Sequence, residues 1–454
     1  RETRRGRVTD RDFGAIYTTT MAGVLAYENL LDHGACGDFF LDDDNLSPRP
    51  HSQSMDESSV PESVGVFEGP EKTLEVCFLP GVGRERGCRD LTRAQLDTML
   101  TEARCTILSH ISNAHLDAYV LSESSLFVYP FKVVIKTCGR TTLLRCVRPL
   151  VDAATKAAGF GGLGLKLEWV GYSRKNYAFP DEQPSPHTSF GEELAYLRAH
   201  RDVEKDADED GGLDRSVGGA AAAAAFDGQG YVLGPITGDH WFVYVADQCE
   251  RPAASATERT INIMMFDLGE DVRDAFYLKP GEKGDLRSAA RAMTARSGLG
   301  ALIPSSSHHD DHAFAPCGYS MNALCFESYT TVHVTPEASC SYASFETNTA
   351  LKGYASLVKN VLAVFKPKKV VLTLFADEAG LAELPKHATF DGLPKLDINP
   401  LGTYHRNDLS LLHVEHDCVC MMANYSLHDK NSPHKRRDSP YRDVDRAGHV
   451  GSLQ

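Results

Sequence analysis

The stretch Tyr119-Val120-Leu121-Ser122-Glu123-Ser124-Ser125-Leu126-Phe127 places a glutamate directly before two adjacent serines. Alone, such a pair means little, because most Ser-Ser pairs lie in turns or strands where their hydroxyls satisfy nearby backbone groups. The flanking sequence carries more. Downstream, Val133 and Ile135 alternate with Val134, Lys136 and Cys138; upstream, Leu74, Val76 and Phe78 alternate with Thr73, Glu75 and Cys77. Successive side chains of a strand point to opposite faces, so both segments read as strands, and Lys136 and Cys138 share a sheet face. Val332 and Val334 oppose Thr331, His333 and Thr335 in the same way.

Helices begin at two capping-box pairs, Thr92 with Gln95 before Leu96, Met99 and Leu100, and Ser189 with Glu192 before Leu194 and Leu197. A third carries Leu357, Val361, Leu362 and Phe365 at helical spacing and stops near Pro367. Strands interspersed with a few helices predict an α+β fold with largely antiparallel sheets. The 454 residues suffice for one large domain or two ordinary ones. Residues 1–65 read as a poorly ordered polar extension, 66–425 as the folded domain, 199–230 as a surface insertion with acidic and alanine runs, and 426–454 as a disordered tail.

A formal charge of −15 disfavours a nucleic-acid surface and favours a small cationic ligand. No apolar run approaches a membrane span, and the twelve cysteines form no compact framework, so a cytoplasmic location is expected. The basic start could be a transit peptide, but the acidic residues of the extension argue against one.

Several blocks occur in a fixed order: Phe67-Glu68-Gly69-Pro70-Glu71-Lys72 with Leu74-Glu75-Val76, Leu121 to Phe127, Lys136-Thr137-Cys138-Gly139, Tyr172-Ser173-Arg174-Lys175-Asn176, Pro316-Cys317-Gly318-Tyr319-Ser320-Met321-Asn322, His333-Val334-Thr335-Pro336-Glu337, and Ser341-Tyr342 with Ser344-Phe345-Glu346. Through them the chain resembles the eukaryotic S-adenosylmethionine decarboxylase proenzymes, and it is similar to the plant and algal type around Leu121 to Ile135 and Gln183-Pro184-Ser185-Pro186-His187. The resemblance implies a four-layer αββα sandwich. It also implies a pyruvoyl group made from Ser124: the Ser124 hydroxyl attacks the Glu123 carbonyl, the amide becomes an ester, and elimination splits the chain into a shorter β chain ending at Glu123 and a longer α chain beginning with the ketone.

That ketone forms a Schiff base with the substrate amine and accepts the electrons released with carbon dioxide, replacing pyridoxal phosphate, with no metal. By the same resemblance Cys138 is the proton donor, a thiol being mostly protonated at neutral pH. Ser320 and His333 serve self-processing. Phe67 and Phe314 stack on S-adenosylmethionine, Glu337 binds its ribose, and Glu68 and Glu71 lie near the substrate and the cleavage site. Without the matching blocks, each of these residues has a plainer role as a core cysteine, a satisfied histidine, a turn serine or a solvated glutamate.

Glu75, Lys136, Asp239 and Glu346 match a site that binds putrescine in some relatives, while Thr73 and Gly171 stand where plant-type relatives carry arginines. The response to putrescine is left open, as is a homodimer. A catalytically dead, activating paralogue is disfavoured because Ser124, Cys138, Ser320 and His333 are all present. His308-His309-Asp310-Asp311-His312 could suggest a metal hydrolase, but five consecutive residues cannot all converge on one ion, and the cluster reads as a solvated loop. Cys418 and Cys420 are too sparse for zinc, and a Ser320/His333 hydrolase lacks a nucleophile elbow.

Overall fold

The computed structural model describes residues 25–26, 67–81, 83–157, 161–199, 226–247, 258–384, 390–414 and 418–428. Their strands form two nine-stranded antiparallel sheets, each drawn from one half of the chain. The first sheet comprises β1 (Leu25–Ala26), β2 (Lys72–Leu79), β3 (Ile107–Ser112), β4 (Asp117–Leu121), β5 (Ser124–Val128), β6 (Lys132–Thr137), β7 (Lys166–Lys175), β8 (Gln229–Leu233) and β9 (Trp241–Asp247), in the order β1-β8-β9-β7-β2-β6-β5-β4-β3. The second comprises β10 (Arg259–Phe266), β11 (His308–Ala313), β12 (Tyr319–Cys325), β13 (Ser328–Thr335), β14 (Tyr342–Thr347), β15 (Lys369–Asp377), β16 (Lys395–Ile398), β17 (Gly402–Val414) and β18 (Cys418–His428), in the order β11-β12-β13-β14-β10-β15-β18-β17-β16.

The alternation in sequence decides which face goes where. Leu74, Val76, Val133 and Ile135 pack outward from the first sheet against α1 (Arg93–Glu102), α2 (Val147–Thr155) and α3 (Phe190–Arg198). Ile261, Ile263, Val332 and Val334 pack likewise from the second sheet against α4 (Glu270–Ala275), α5 (Leu286–Ser297) and α6 (Ala355–Phe365). Each fully buried Leu, Val or Phe in these layers is worth about 1.5–3 kcal/mol relative to exposure. The remaining faces meet: Trp169, Trp241 and Val243 of the first sheet pack with Met264, Val371 and Met422 of the second. The layers are therefore helix, sheet, sheet, helix. At α1 the capping box is complete, whereas Ser189 caps α3 but the Glu192 side chain turns to Ser185 and Thr188.

Three boundaries differ from the sequence expectation. Within 1–65, Leu25–Ala26 pair with Val232 and Tyr231, and the rest lies outside the described residues. Of 199–230, residues 200–225 lie outside them too, but Phe226 is buried, donates its N–H to the Leu197 carbonyl, and leads directly into β8. At the C-terminal boundary, β18 continues through Ser426, Leu427 and His428, paired with β15 and β17, and residues 429–454 lie outside the described residues. No helix among the described residues is long and apolar enough to cross a membrane.

Candidate active site

The Glu123–Ser124 bond lies in a tight hairpin, with Leu121 and Ser124 as register partners and only Ser122-Glu123 between β4 and β5. Ser124 adopts φ 131°, a backbone conformation that L-residues rarely take. Such strain costs on the order of 1–3 kcal/mol and persists only where the surroundings over-determine it. Here the clamps are explicit. The Ser122 N–H donates to the Thr106 carbonyl at 2.9 Å, and its hydroxyl accepts from the Thr106 N–H at 3.0 Å. The Glu123 carbonyl oxygen accepts from the Cys138 N–H at 3.0 Å and from the Cys138 thiol at 3.4 Å. Two donors on one carbonyl oxygen are what an adding nucleophile needs to stabilise the developing oxyanion. The nearest nucleophile is Ser124, whose hydroxyl is buried and has no hydrogen-bond partner.

The second sheet contributes the groups facing that hairpin. Ser125 donates to Asn322 Oδ1 at 2.7 Å and lies 3.1 Å from His333 Nε2 and 3.2 Å from Thr331 Oγ1. His333 Nδ1 is 2.8 Å from Ser320 Oγ. Burial, reinforced by nearby Lys136, pushes the His333 pKa down to about 3, so the ring is neutral at physiological pH and can take a proton. Cys138 behaves oppositely. Burial first, then Glu123 and Glu71, push its thiol well above the ordinary range, so it keeps its proton. Its loop is held by Lys72, whose ammonium donates to the Gly139 carbonyl at 2.9 Å and whose pKa burial lowers to about 8. Gly139 has φ 60° and lies under the Phe67 ring, where a Cβ would come within 2.8 Å. Glycine is required there on both counts.

Phe67 and Phe314 come from loops of opposite sheets, Phe67 beside Gly139 and Phe314 just after β11, where its ring meets His312 at 4.9 Å. Glu337 is exposed, and Glu71 is buried between the sheets, accepting from Tyr342 at 2.9 Å and Ser344 at 2.5 Å. Glu68 lies beside the Cys138 loop, its carbonyl accepting the Gly139 N–H at 2.8 Å. Its carboxylate accepts the Ala178 N–H at 2.9 Å and the Phe179 N–H at 3.0 Å, which makes it an anchor for the loop at Ala178 and Phe179.

The four diamine-site candidates do not form one cluster. Lys136 and Glu346 pair at 2.6 Å in the interior, with Tyr329 donating to the other Glu346 oxygen at 2.8 Å. Glu346, Glu75 and Glu71 line a cavity between the sheets together with Trp169, Gly171 and Trp241. Asp239 is not itself a lining residue but is held by Lys175, which is, at 2.6 Å, and by Lys369 at 2.7 Å. Burial alone would raise the Asp239 pKa, but these two ammoniums outweigh it and hold the carboxyl below its usual value. The Trp169 ring covers Gly171, where a Cβ would come within 2.4 Å, so a longer side chain at 171 has no room.

The His308 to His312 run is a strand, not a solvated loop: it pairs along its length with β12, and Asp310 is buried. Alternation sends its side chains to opposite faces, and no group of three potential metal ligands occurs among the described residues. Ser125, Asn322 and Thr331 were not singled out from sequence. Period two could have found the last two, since Asn322 shares a strand face with Ser320, and Thr331 shares one with His333.

Comparison with known proteins places the chain in one family. The family model described as adenosylmethionine decarboxylase matches residues 65–426. The S-adenosylmethionine decarboxylase proenzyme of Dictyostelium discoideum is 41% identical over 322 residues, 69% of this chain and 75% of that protein. The proenzyme of Zea mays is 40% identical over 323 residues, 68% and 72% of the two chains, and that of Caenorhabditis elegans is 35% identical over 359 residues, 78% and 87%. The chain belongs to the adenosylmethionine decarboxylase family.

Proposed function

We infer that this chain is a proenzyme that cuts itself between Glu123 and Ser124 and then decarboxylates S-adenosylmethionine to the aminopropyl donor of spermidine and spermine synthesis. One observation carries the reading: a strained serine with an unpartnered buried hydroxyl lies next to a carbonyl that already accepts two hydrogen bonds. In the first step the Ser124 oxygen adds to the Glu123 carbonyl carbon, the C–N bond breaks, and the proton passes to the freed nitrogen. His333 then removes the Ser124 α-proton while the Glu123 carboxylate leaves. Water releases ammonia from the residue that remains, completing the pyruvoyl end. The hydroxyls of Ser320 and Thr331 can donate or accept, so they hold either tautomer of the ring.

The two products stay together because β2 lies between β6 and β7. Separating the fragments would require tearing out an interior strand. The pyruvoyl group supplies an electron sink once formed. Cys138 delivers the proton to the substrate carbon, Phe67 and Phe314 enclose the sulfonium and adenine, with cation–π attraction on the order of 0.5–2 kcal/mol, and Glu337 takes the ribose hydroxyls. Intact mass tests the reading: two fragments dividing after Glu123, the longer without a free amino terminus, are expected, and one uncut chain would overturn it.

Because His333 is neutral down to about pH 3, self-cleavage should keep its rate from pH 8 to about pH 5. An unperturbed histidine, with a pKa of about 6.5, would be about nine-tenths protonated at pH 5.5. A roughly tenfold loss of first-order cleavage rate per pH unit below pH 6 would point to a base of ordinary histidine pKa and overturn the depressed value for His333.

A diamine is not part of the proposed mechanism. Glu346 already has Lys136, Asp239 has two lysines, and Glu75 has Lys132 at 3.7 Å, so each of the three matched carboxylates already has a counter-charge. Millimolar putrescine is therefore expected to change processing and turnover less than about twofold, a free-energy change below about 0.5 kcal/mol. A several-fold acceleration, lost in Asp239→Asn, would restore the diamine site.

A further inference from the structure

Ser125 belongs to the first sheet, yet its side chain is bonded entirely to the second. Its hydroxyl has three neighbours, Asn322 Oδ1 at 2.7 Å, His333 Nε2 at 3.1 Å and Thr331 Oγ1 at 3.2 Å, and all come from β12 and β13. Only the Asn322 oxygen is purely an acceptor, so it fixes where the Ser125 proton points and leaves His333 and Thr331 to bond each other at 2.9 Å. Both Ser125 and Asn322 are 0% exposed, so no solvent competes for this bond. Ser125 is also the residue immediately after the one held at φ 131°.

The upstream side of the scissile bond is clamped within the first sheet by Thr106 and Cys138. The downstream side is clamped across the sheets. We propose that Asn322 is a positioning residue which, by holding the Ser125 hydroxyl, keeps Ser124 in its reactive conformation and makes self-cleavage depend on docking of the two sheets. The proposal rests on the self-cleavage reading above. It adds a second role after cleavage, when Ser125 becomes the only covalent neighbour of the new pyruvoyl end. The same bond then aims that end at Cys138 and the substrate.

A double-mutant cycle tests this in the full chain. Ser125→Ala and Asn322→Ala are each expected to slow first-order cleavage at Glu123–Ser124 about tenfold, the size of one buried hydrogen bond. The double variant should be no slower than either single one, because both remove the same bond. The processed fraction of each should show a lower kcat with KM changed less than about twofold, a split that a general loss of stability would not produce. Asn322→Asp keeps an accepting oxygen and should cleave within about threefold of the unmodified chain.

Cleavage of Asn322→Ala at the unmodified rate, or a double variant slowed by the product of the two single effects, would overturn the proposal. If Asn322→Ala does not fold, as read by circular dichroism, a folded Asn322→Asp that stays uncut overturns it equally, and one that cleaves while Ser125→Ala is slow supports it. An unmodified chain that never cleaves would instead remove the proposed function itself.

Discussion

Ser124→Ala is expected to give one uncut chain with no measurable decarboxylase activity and with a melting temperature equal to or above that of the unmodified chain before it is cleaved. The two halves of this expectation have different causes. Activity disappears because the substitution removes both the nucleophile for chain cleavage and the atoms from which the ketone is made. Stability is retained because the Ser124 hydroxyl is buried without a hydrogen-bond partner. A polar group in that state costs on the order of 1–3 kcal/mol in lost hydration, and alanine removes that cost while tolerating the same φ no worse than serine. Intact mass, a carbon dioxide release assay and a thermal melt on one preparation check all three. Efficient cutting at this bond in the variant would end the serine mechanism; an uncut chain with a markedly lower melting temperature would mean that the Ser124 hydroxyl has a structural partner.

Much of the fold was legible because the strands near the site each bury one apolar face against helices. Leu74, Val76, Val133, Ile135, Val332 and Val334 each fall on one face of their strand, as period-two spacing predicts, and those faces pack against helices. The polar faces were legible too, but not their destination. Alternation says that Lys136 and His333 point away from the helices, and a sequence normally sends such residues to water. Here two sheets meet on those faces and enclose them, leaving Lys136 0% exposed and paired with Glu346. Pairing across more than 200 positions has no local signature. The His308 to His312 strand was missed for a related reason: an edge strand with polar residues on both faces lacks the apolar alternation that marks its neighbours.

The candidate residues divide along the same line. Ser124, Cys138, Ser320 and His333 were marked by their motifs, and the fold brings them to one hairpin and the strands facing it. Glu68 and Asp239 sit in equally recognisable motifs, yet one anchors the backbone at Ala178 and Phe179 and the other is held by two lysines. A motif fixes where the backbone places a residue. What its carboxylate bonds depends on groups more than 60 positions away, which only the folded structure brings within reach.

Cys138→Ala should separate processing from turnover. The Glu123 carbonyl would keep the backbone N–H of residue 138 at 3.0 Å and lose only the weaker thiol donor at 3.4 Å. Removal of a strong oxyanion donor costs about 10²–10³ in rate, so a weak and longer one is expected to cost about tenfold. Processed protein should therefore still accumulate. Turnover has no such reserve. In the unmodified enzyme, burial together with Glu123 and Glu71 keeps the thiol protonated through pH 7–9, so the proton for the substrate carbon is present throughout that range. With the thiol gone, carbon dioxide release per processed chain should fall by about 10²-fold or more, within the usual contribution of a positioned general acid. Misdirected protonation should also inactivate the surviving sites progressively by consuming the ketone. Quantifying cleaved chain on a gel and normalising the release rate to it distinguishes the two effects. A processed variant that turns over normally and keeps its activity would remove Cys138 as the acid, while a variant that never cleaves would show that the thiol, rather than the backbone N–H, is the donor on which the first step depends.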